Sequence, residues 1–377
     1  MEPPVIDQDI PHLSEVTPSV LRALGVPGST GSLDLPGARS ACVLLVDGLG
    51  WELLAEYAAD APALAALRSS RLRVGYPATT AAGLAAIGTG VASGEHGLAG
   101  YTFEVPGVGV VNALSWRDHD TGADLRGPLP PEEAQPLPTT FARARAAGLD
   151  SRVVSAARFA DTALTRAVLR DGDYRGVHAL GDLAAAVLDA LDTERCFCWG
   201  YHGDLDLLGH VYGPGSRPWR MQLRQVDRLV ESLVAGLPPG ALLAVVADHG
   251  MITLDDTAVD LEEEPGLLAG VRAFGGEVRA RHVYTEPGAV DDVLAAWRAI
   301  LGDRAWVAGR EQAIEEGWFG PRVADHVRPR IGDVVAAARG RSGMLRGLAE
   351  PVESSLIGQH GSFTPAEQLV PLAVAYG

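Results

Sequence analysis

Apolar residues fall along this chain in two kinds of stretch. Some are short solid runs: "ACVLLV" (41–46), "SRVVSAA" (151–157), "RCFCWGY" (195–201) and "ALLAVVA" (241–247). A run of that length with little polar alternation predicts a strand buried on both faces. Other stretches carry the helical period. "LGDLAAAVLDAL" (180–191) is one, and "SRPWRMQLRQVDRLVESLVAGL" (216–237) is a long two-faced helix. Further helices are predicted near 50–59 and 80–92, and in "LPTTFARARAAGL", capped by Thr139 or Thr140. Strands alternating with helices predict an α/β fold, a mainly parallel sheet with helices on both faces.

Two regions depart from this rhythm. Residues 1–40 read as an N-terminal leader with one short helix, "SEVTPSVLRALGVPG", capped near Thr17, with Pro18 in its first turn and a stop at Gly25 and Pro27. From 265 to 325 the pattern becomes that of a small α+β cap: a strand in "EVRARHVYTE", a helix in "AVDDVLAAWRAIL", then a strand and a helix in "RAWVAGREQAIEEGW". The core then comprises 41–264 and 326–377, with "RIGDVVAAAR" (330–339) returning to the main sheet. "GPLPPEEAQPLP" (127–138) reads as a solvated loop.

Composition narrows the function. A chain of 377 residues suits one large α/β domain carrying a smaller one, and 47% apolar with 21% charged residues is ordinary for a soluble globular protein. There are 48 acidic and 31 basic residues, a net charge of −17, and every basic residue is Arg. An acidic surface argues against a nucleic-acid duplex or an anionic membrane as partner. It leaves room for a phosphate ester, because a bound cation reverses the local field. Cys42, Cys196 and Cys198 sit in apolar runs and read as buried thiols rather than a zinc ribbon or a disulfide framework. The N-terminus shows no basic or apolar signal region and no run approaches 18 apolar residues, so a cytoplasmic enzyme is expected.

The candidate chemistry lies at strand ends. The first strand runs into Asp47-Gly48-Leu49-Gly50. A dinucleotide site needs a third Gly where this chain has Leu53, so Asp47 calls for another explanation. Asp248-His249-Gly250 ends a second strand. A third is followed by "YHGDLDLLGHVYGPG", with His202, Asp204, Asp206 and His210, and His360 lies in "IGQHGSFTP". Carboxylates and imidazoles gathered at the carboxyl edge of a sheet are the donors that Zn²⁺ or Mn²⁺ prefers.

With these segments in view, residues 40–377 resemble the alkaline phosphatase superfamily, nearest its nucleotide pyrophosphatase/phosphodiesterase branch. The resemblance implies two divalent metal ions, zinc first and manganese as the alternative. One would be held by Asp47, Asp248 and His249, the other by Asp206, His210 and His360. Asp-x-x-x-His followed by Gly213-Pro214 selects Asp206 over Asp204, and leaves His202 and Asp204 as outer candidates. "YPATTAAGLAAIGTGVASGEHGL" (76–98) resembles the nucleophile segment, which makes Thr80 the catalytic residue and a metal contact, with Thr79 the neighbouring alternative. A hydroxyl at a helix N-terminus suits a phosphoryl oxygen. Where the branch carries Asn three positions on, this chain has Gly83, so either backbone N–H groups there meet substrate or substrate handling differs from that of the branch.

The implied activity is hydrolysis of phosphodiesters or nucleoside pyrophosphates through a covalent phospho-threonine. The expected partner is a small phosphate ester or nucleotide. No Arg follows Arg73 in the Thr80 segment, which tilts the reading away from monoesters. Trp51 and Tyr212 are candidate substrate contacts, Trp199 and Tyr201 lie near the motifs, and His96 reads as structural. A phosphomonoesterase, a phosphonate hydrolase or a phosphomutase of the same superfamily is the alternative. A sulfatase is excluded by the absence of Cys or Ser at the nucleophile.

Overall fold

The computed structural model describes Pro4 and residues 7–377. Residues 1–3, 5 and 6 of the expected leader lie outside the described residues. A seven-stranded sheet forms the centre, and five of its strands lie side by side and parallel: Ala241–Val246, Ser40–Val46, Cys196–His202, Asp150–Ala156 and Asp173–Val177. Every residue of Ser40–Val46 and Ala241–Val246 is buried. Side chains alternate between the faces of a strand, so full burial means that both faces are covered. The helices Leu180–Leu191 and Arg217–Ala235 are among the elements that supply the cover. Because the strands are parallel, Asp47, Asp248, His249 and the Asp204–Tyr212 helix all emerge at one edge.

The other edge was not legible as strand. Leu369–Tyr376 runs antiparallel beside Ala241–Val246, and Arg68–Arg73 pairs outside it. "RSSRLR" has one fully buried position in six, so it carries no apolar run to recognise.

Three expectations about organisation need correction. The leader is part of the core: Leu13, Val16, Val20 and Leu21 pack in the main apolar cluster, and the Thr17 hydroxyl donates to the Ile87 carbonyl at 2.7 Å. Thr17 therefore lies inside the Val16–Ala23 helix and does not cap it. The cap extends past 325. Its antiparallel sheet runs Val271–Glu277, Ala280–Thr285, Val334–Ala338, Ala305–Gly309, so "RIGDVVAAAR" belongs to the cap and not to the main sheet. "VVAAA" is apolar on both faces and fits either sheet by pattern alone. Lastly, the stretch 127–138 contains the Pro131–Ala134 turn of helix and buries Gln135, whose amide donates to the Ala167 carbonyl at 3.0 Å.

Cap and core are joined by an aromatic cluster of Tyr76, Trp318, Phe319 and Phe363 and by two buried ion pairs, Arg279–Glu367 at 2.6 Å and Arg281–Glu350 at 2.7 Å. The expected helices Val290–Leu301 and Arg310–Glu315 cover the cap sheet. The stretch read as one strand, 277–286, instead contains the turn of the Val271–Glu277/Ala280–Thr285 hairpin.

Candidate metal centre and nucleophile

Six acidic and imidazole side chains converge at the carboxyl edge. His210 Nε2 lies 3.4 Å from Asp206 Oδ2, and His360 Nε2 lies 3.2 Å from His210 Nε2. His249 Nε2 lies 3.4 Å from Asp47 Oδ1 and 3.8 Å from Asp248 Oδ2. Two overlapping groups each bring three ligand atoms within 4.8 Å of one another: Asp206, His210 and His360, and Asp47, Asp206 and His249. Asp206 therefore stands between the two.

The tautomers are fixed from behind. His210 Nδ1 donates to the Gly358 carbonyl at 2.8 Å, His249 Nδ1 to Gly250 at 2.9 Å and His360 Nδ1 to Ala78 at 2.8 Å. Each Nε2 lone pair is thereby turned inward, the usual second-shell arrangement of metal-binding imidazoles. Asp47 Oδ1, Asp206 Oδ1 and Asp248 Oδ2 are buried without a hydrogen-bond partner among the described residues. Buried carboxylate oxygens are almost always satisfied. Orphaned oxygens facing inward lone pairs fit cations, and the mixed N/O set fits zinc or manganese. Electrostatics agree with that fit. Burial, then the Asp248 and Asp206 charges, push Asp47 well above the usual carboxylate range. Burial also raises Asp248, while burial and the neighbouring His249 and His210 hold His360 well below the usual imidazole range.

Thr80 is the first residue of the Thr80–Thr89 helix, and its Oγ1 lies 3.2 Å from His249 Nε2. Thr79 holds the N-cap position, yet its side chain makes no capping hydrogen bond. The Thr79 side chain therefore leaves free the first-turn N–H groups, which lack intrahelical partners. Beside Thr80 and Asp47 a cavity of about 230 Å³ opens, walled by Leu84, Leu114, Phe159 and Trp199.

A model of the family described as type I phosphodiesterase/nucleotide pyrophosphatase matches residues 41–363. This chain belongs to that family. The match runs from the first strand through the His360 loop. Among curated relatives, ectonucleotide pyrophosphatase/phosphodiesterase family member 7 of Homo sapiens is 43% identical over 68 residues, 17% of this chain and 15% of that protein. A phosphopentomutase of Anaeromyxobacter sp. (strain K) is 30% identical over 126 residues, 32% of each chain. The chain thus spans a third or less of the curated relatives it matches. Two of the solved structures that share its fold serve as examples. One is an inactive murine ectonucleotide pyrophosphatase/phosphodiesterase 5 in complex with AMP, with a TM-score of 0.68 at 16% identity, covering 89% of this chain and 87% of that one. The other is phosphonoacetate hydrolase of Sinorhizobium meliloti 1021 in complex with phosphonoformate, with a TM-score of 0.66 at 21% identity and 90% of each chain covered.

Against the expected site of this phosphodiesterase family member, the convergence is complete for Asp47, Thr80, Asp206, His210, Asp248, His249 and His360. The three substrate candidates fall elsewhere. A side chain at Gly83 would place its Cβ 2.5 Å from Asp248 Cβ, so glycine there admits the metal-site loop and leaves no room for a substrate contact. Trp51 and Tyr212 do not line the cavity beside Thr80, and Tyr212 projects into solvent. The aromatic side chains that do line it are Phe159, Trp199 and Tyr201, and the Tyr201 hydroxyl also donates to Asp47 Oδ2. The outer candidates His202 and Asp204 stand apart: His202 Nε2 meets the Gln222 amide at 2.9 Å, and Asp204 is exposed near Arg158. His96 is buried away from the cluster, with Nδ1 accepting from the Leu98 N–H.

Glu277 was missed. It closes the first strand of the cap hairpin, its Oε2 lies 3.9 Å from His360 Nδ1, and its Oε1 is buried without a partner among the described residues. Burial raises its carboxyl well above the usual range, against the Thr79 hydroxyl, which favours the ionised form. No spacing rule links it to the strand-end motifs. Its one signal is that it is the only acidic residue in the Val271–Thr285 hairpin, whose other charged residues are Arg.

Proposed function

We propose that this protein is a two-metal phosphodiesterase that uses Thr80 as its nucleophile and passes through a covalent phospho-threonine. The observation that carries the reading is Thr80 Oγ1 standing 3.2 Å from His249 Nε2, a member of the donor group that also contains Asp47 and Asp206. Asp47, Asp248 and His249 would hold one ion; Asp206, His210 and His360 would hold the other. When bound, such ions supply Lewis-acid charge beside the phosphoryl oxygens and ease deprotonation of a nearby hydroxyl.

This chain's residues do the rest. The Thr80 hydroxyl loses its proton to solvent and its oxygen attacks phosphorus in line with the departing ester oxygen. The free N–H groups of the Thr80–Thr89 helix face the non-bridging oxygens. Tyr201 anchors Asp47, and the three backbone carbonyls keep the imidazoles in register. The departing alkoxide takes a proton from solvent and leaves as the first alcohol; water then attacks the phospho-threonine, which releases the phosphate monoester and regenerates the Thr80 hydroxyl.

The cavity supports a diester over a monoester. No Arg, Lys or His lines it among the described residues, so it offers nothing to clamp a dianion, and its wall of Leu, Phe and Trp suits an uncharged organic group on one ester oxygen. The same absence disfavours a phosphonate that also bears a carboxylate. The test compares bis-p-nitrophenyl phosphate with p-nitrophenyl phosphate, in zinc and in manganese, for wild type and Thr80→Ala. The proposal expects preferential diester turnover that falls by at least about 10³-fold in the variant. Diester turnover retained by Thr80→Ala overturns the assignment of the nucleophile.

A further inference from the structure

A cavity of about 790 Å³ lies apart from the candidate metal centre, between the edge strand Arg68–Arg73, the segment after His360 and the cap. Its volume falls in the range of small-molecule sites. Two features define its chemistry. The first is an aromatic wall: Tyr76 stacks on Phe363 at 4.6 Å between ring centres, while Trp318 and Trp306 meet Phe363 edge-on at 5.1 and 6.0 Å. The second is positive charge. Arg71, Arg73, Arg339 and Arg341 line the cavity against only two carboxylates, Asp7 and Glu52, in a chain whose net charge is −17.

Of the four, Arg339 alone makes an ion pair among the described residues, while the Asp7 charge acts on Arg73 and Asp255 lies near Arg341. Arg73 donates to the Ile10 carbonyl and the Gln8 amide oxygen, both at 3.0 Å, and Arg341 donates to the Thr253 carbonyl at 2.7 Å. Arg71 has no hydrogen-bond or ion-pair partner among the described residues. Arg339 meets Asp303 only at 3.4 Å, where that carboxylate is fully exposed, and lies 5.1 Å over the Trp306 ring.

We propose that this cavity is a second binding site, distinct from the catalytic one, for a flat aromatic molecule that carries an anionic group. The ring packs against Trp306 and Phe363, and the anion is met by Arg339, Arg341 and Arg71. Charge complementarity selects an anion, and the aromatic wall selects a ring over an aliphatic chain. A bound ligand touches both catalytic segments from behind, because Tyr76 lies four residues before Thr80 and Phe363 three after His360.

Equilibrium dialysis with 4-nitrobenzenesulfonate, an aromatic anion without a phosphoryl group, tests this. One saturable site per chain is expected, with nitrobenzene and methanesulfonate each binding at least about tenfold more weakly. Arg341→Ala and Arg71→Ala, both at exposed positions, should each weaken binding about fivefold. Thr80→Ala and chelator-treated protein should bind as wild type does. Absence of a saturable site, equal affinity for nitrobenzene, wild-type binding by both Arg variants, or loss of binding in Thr80→Ala would each overturn the proposal. None of these results depends on whether the chain is a phosphodiesterase.

Discussion

Two buried polar regions lie close together in this molecule and are built on opposite principles. At the cap–core junction, Arg279 and Glu367 are fully buried and matched group for group: Arg279 Nε donates to Glu367 Oε1 at 3.0 Å, and Nη2 donates to Glu367 Oε2 at 2.6 Å and to the Gly340 carbonyl at 2.9 Å. At the sheet edge, Asp47, Asp206 and Asp248 are gathered with an oxygen left over on each. The first arrangement is how a fold tolerates buried charge, by pairing and hydrogen-bonding it. The second leaves charge for something that is not protein. The contrast separates a structural ion pair from a site, and burial alone does not.

The contrast breaks most clearly in mutants of opposite sign. Glu367→Ala strands Arg279 and should cost about 3–5 kcal/mol of stability in denaturant titration. Asp47→Asn relieves one of three crowded carboxylates, so in chelator-treated protein it should raise stability by about 1–3 kcal/mol while diester turnover is lost. If both variants were destabilised alike, the sheet-edge cluster would be an ordinary structural network.

Acid sharpens the comparison next. Burial holds His282 at about 4 and His96 and His12 at about 3, all of them outside the metal cluster. Each is neutral in the fold and gains a proton more readily once unfolded, near 6.5. Stability is therefore complete above that value and falls as pH drops toward 4, by at most about 1.4 kcal/mol per pH unit for each group. The crowded carboxylates Asp47, Asp248 and Glu277 act in the opposite sense, so the slope is read as the difference in thermal melts between wild type and His282→Gln from pH 7 to 4.5; a difference that does not change with pH would show that His282 is not buried as described.

Glu277 joins the two regions, since the cap supplies it and it faces His360. Glu277→Gln keeps the shape and removes the charge. If the six side chains hold two ions as proposed, it should weaken one of them about tenfold, read as metal retained against a competing chelator. The smallest effect belongs to Asp204→Ala. Its side chain is half-exposed and 4.0 Å from Arg158, so stability should change by less than about 0.5 kcal/mol, with metal content unaltered.

Much of the site was legible because parallel strands deliver whatever follows them to one edge. Asp47 and Asp248 each end an apolar run, and Asp206 and His210 share a face of one helix at i, i+4. Thr80 was selected by the resemblance of its segment to a nucleophile segment; the chemistry of a helix start agrees with it but does not separate it from Thr79. What could not be read depends on contacts between distant segments. "VVAAA" announces a strand without saying which sheet receives it, the exposed edge Arg68–Arg73 has too few apolar positions, and Glu277 reaches the site only through a cap hairpin whose docking no local pattern encodes. The cavity wall fails for the same reason: Trp199 and Phe159 border Thr80, whereas Trp51, nearer Asp47 in sequence, does not.

The central claim is that six side chains hold two divalent ions beside Thr80, and metal analysis of the purified protein tests it most directly. Protein dialysed in zinc and then gel-filtered should carry two ions per chain, falling to one or none when Asp206, which stands in both donor groups, is changed to Asn. Wild-type protein that retains no divalent ion and yet turns over a diester in the presence of a strong chelator would contradict the account.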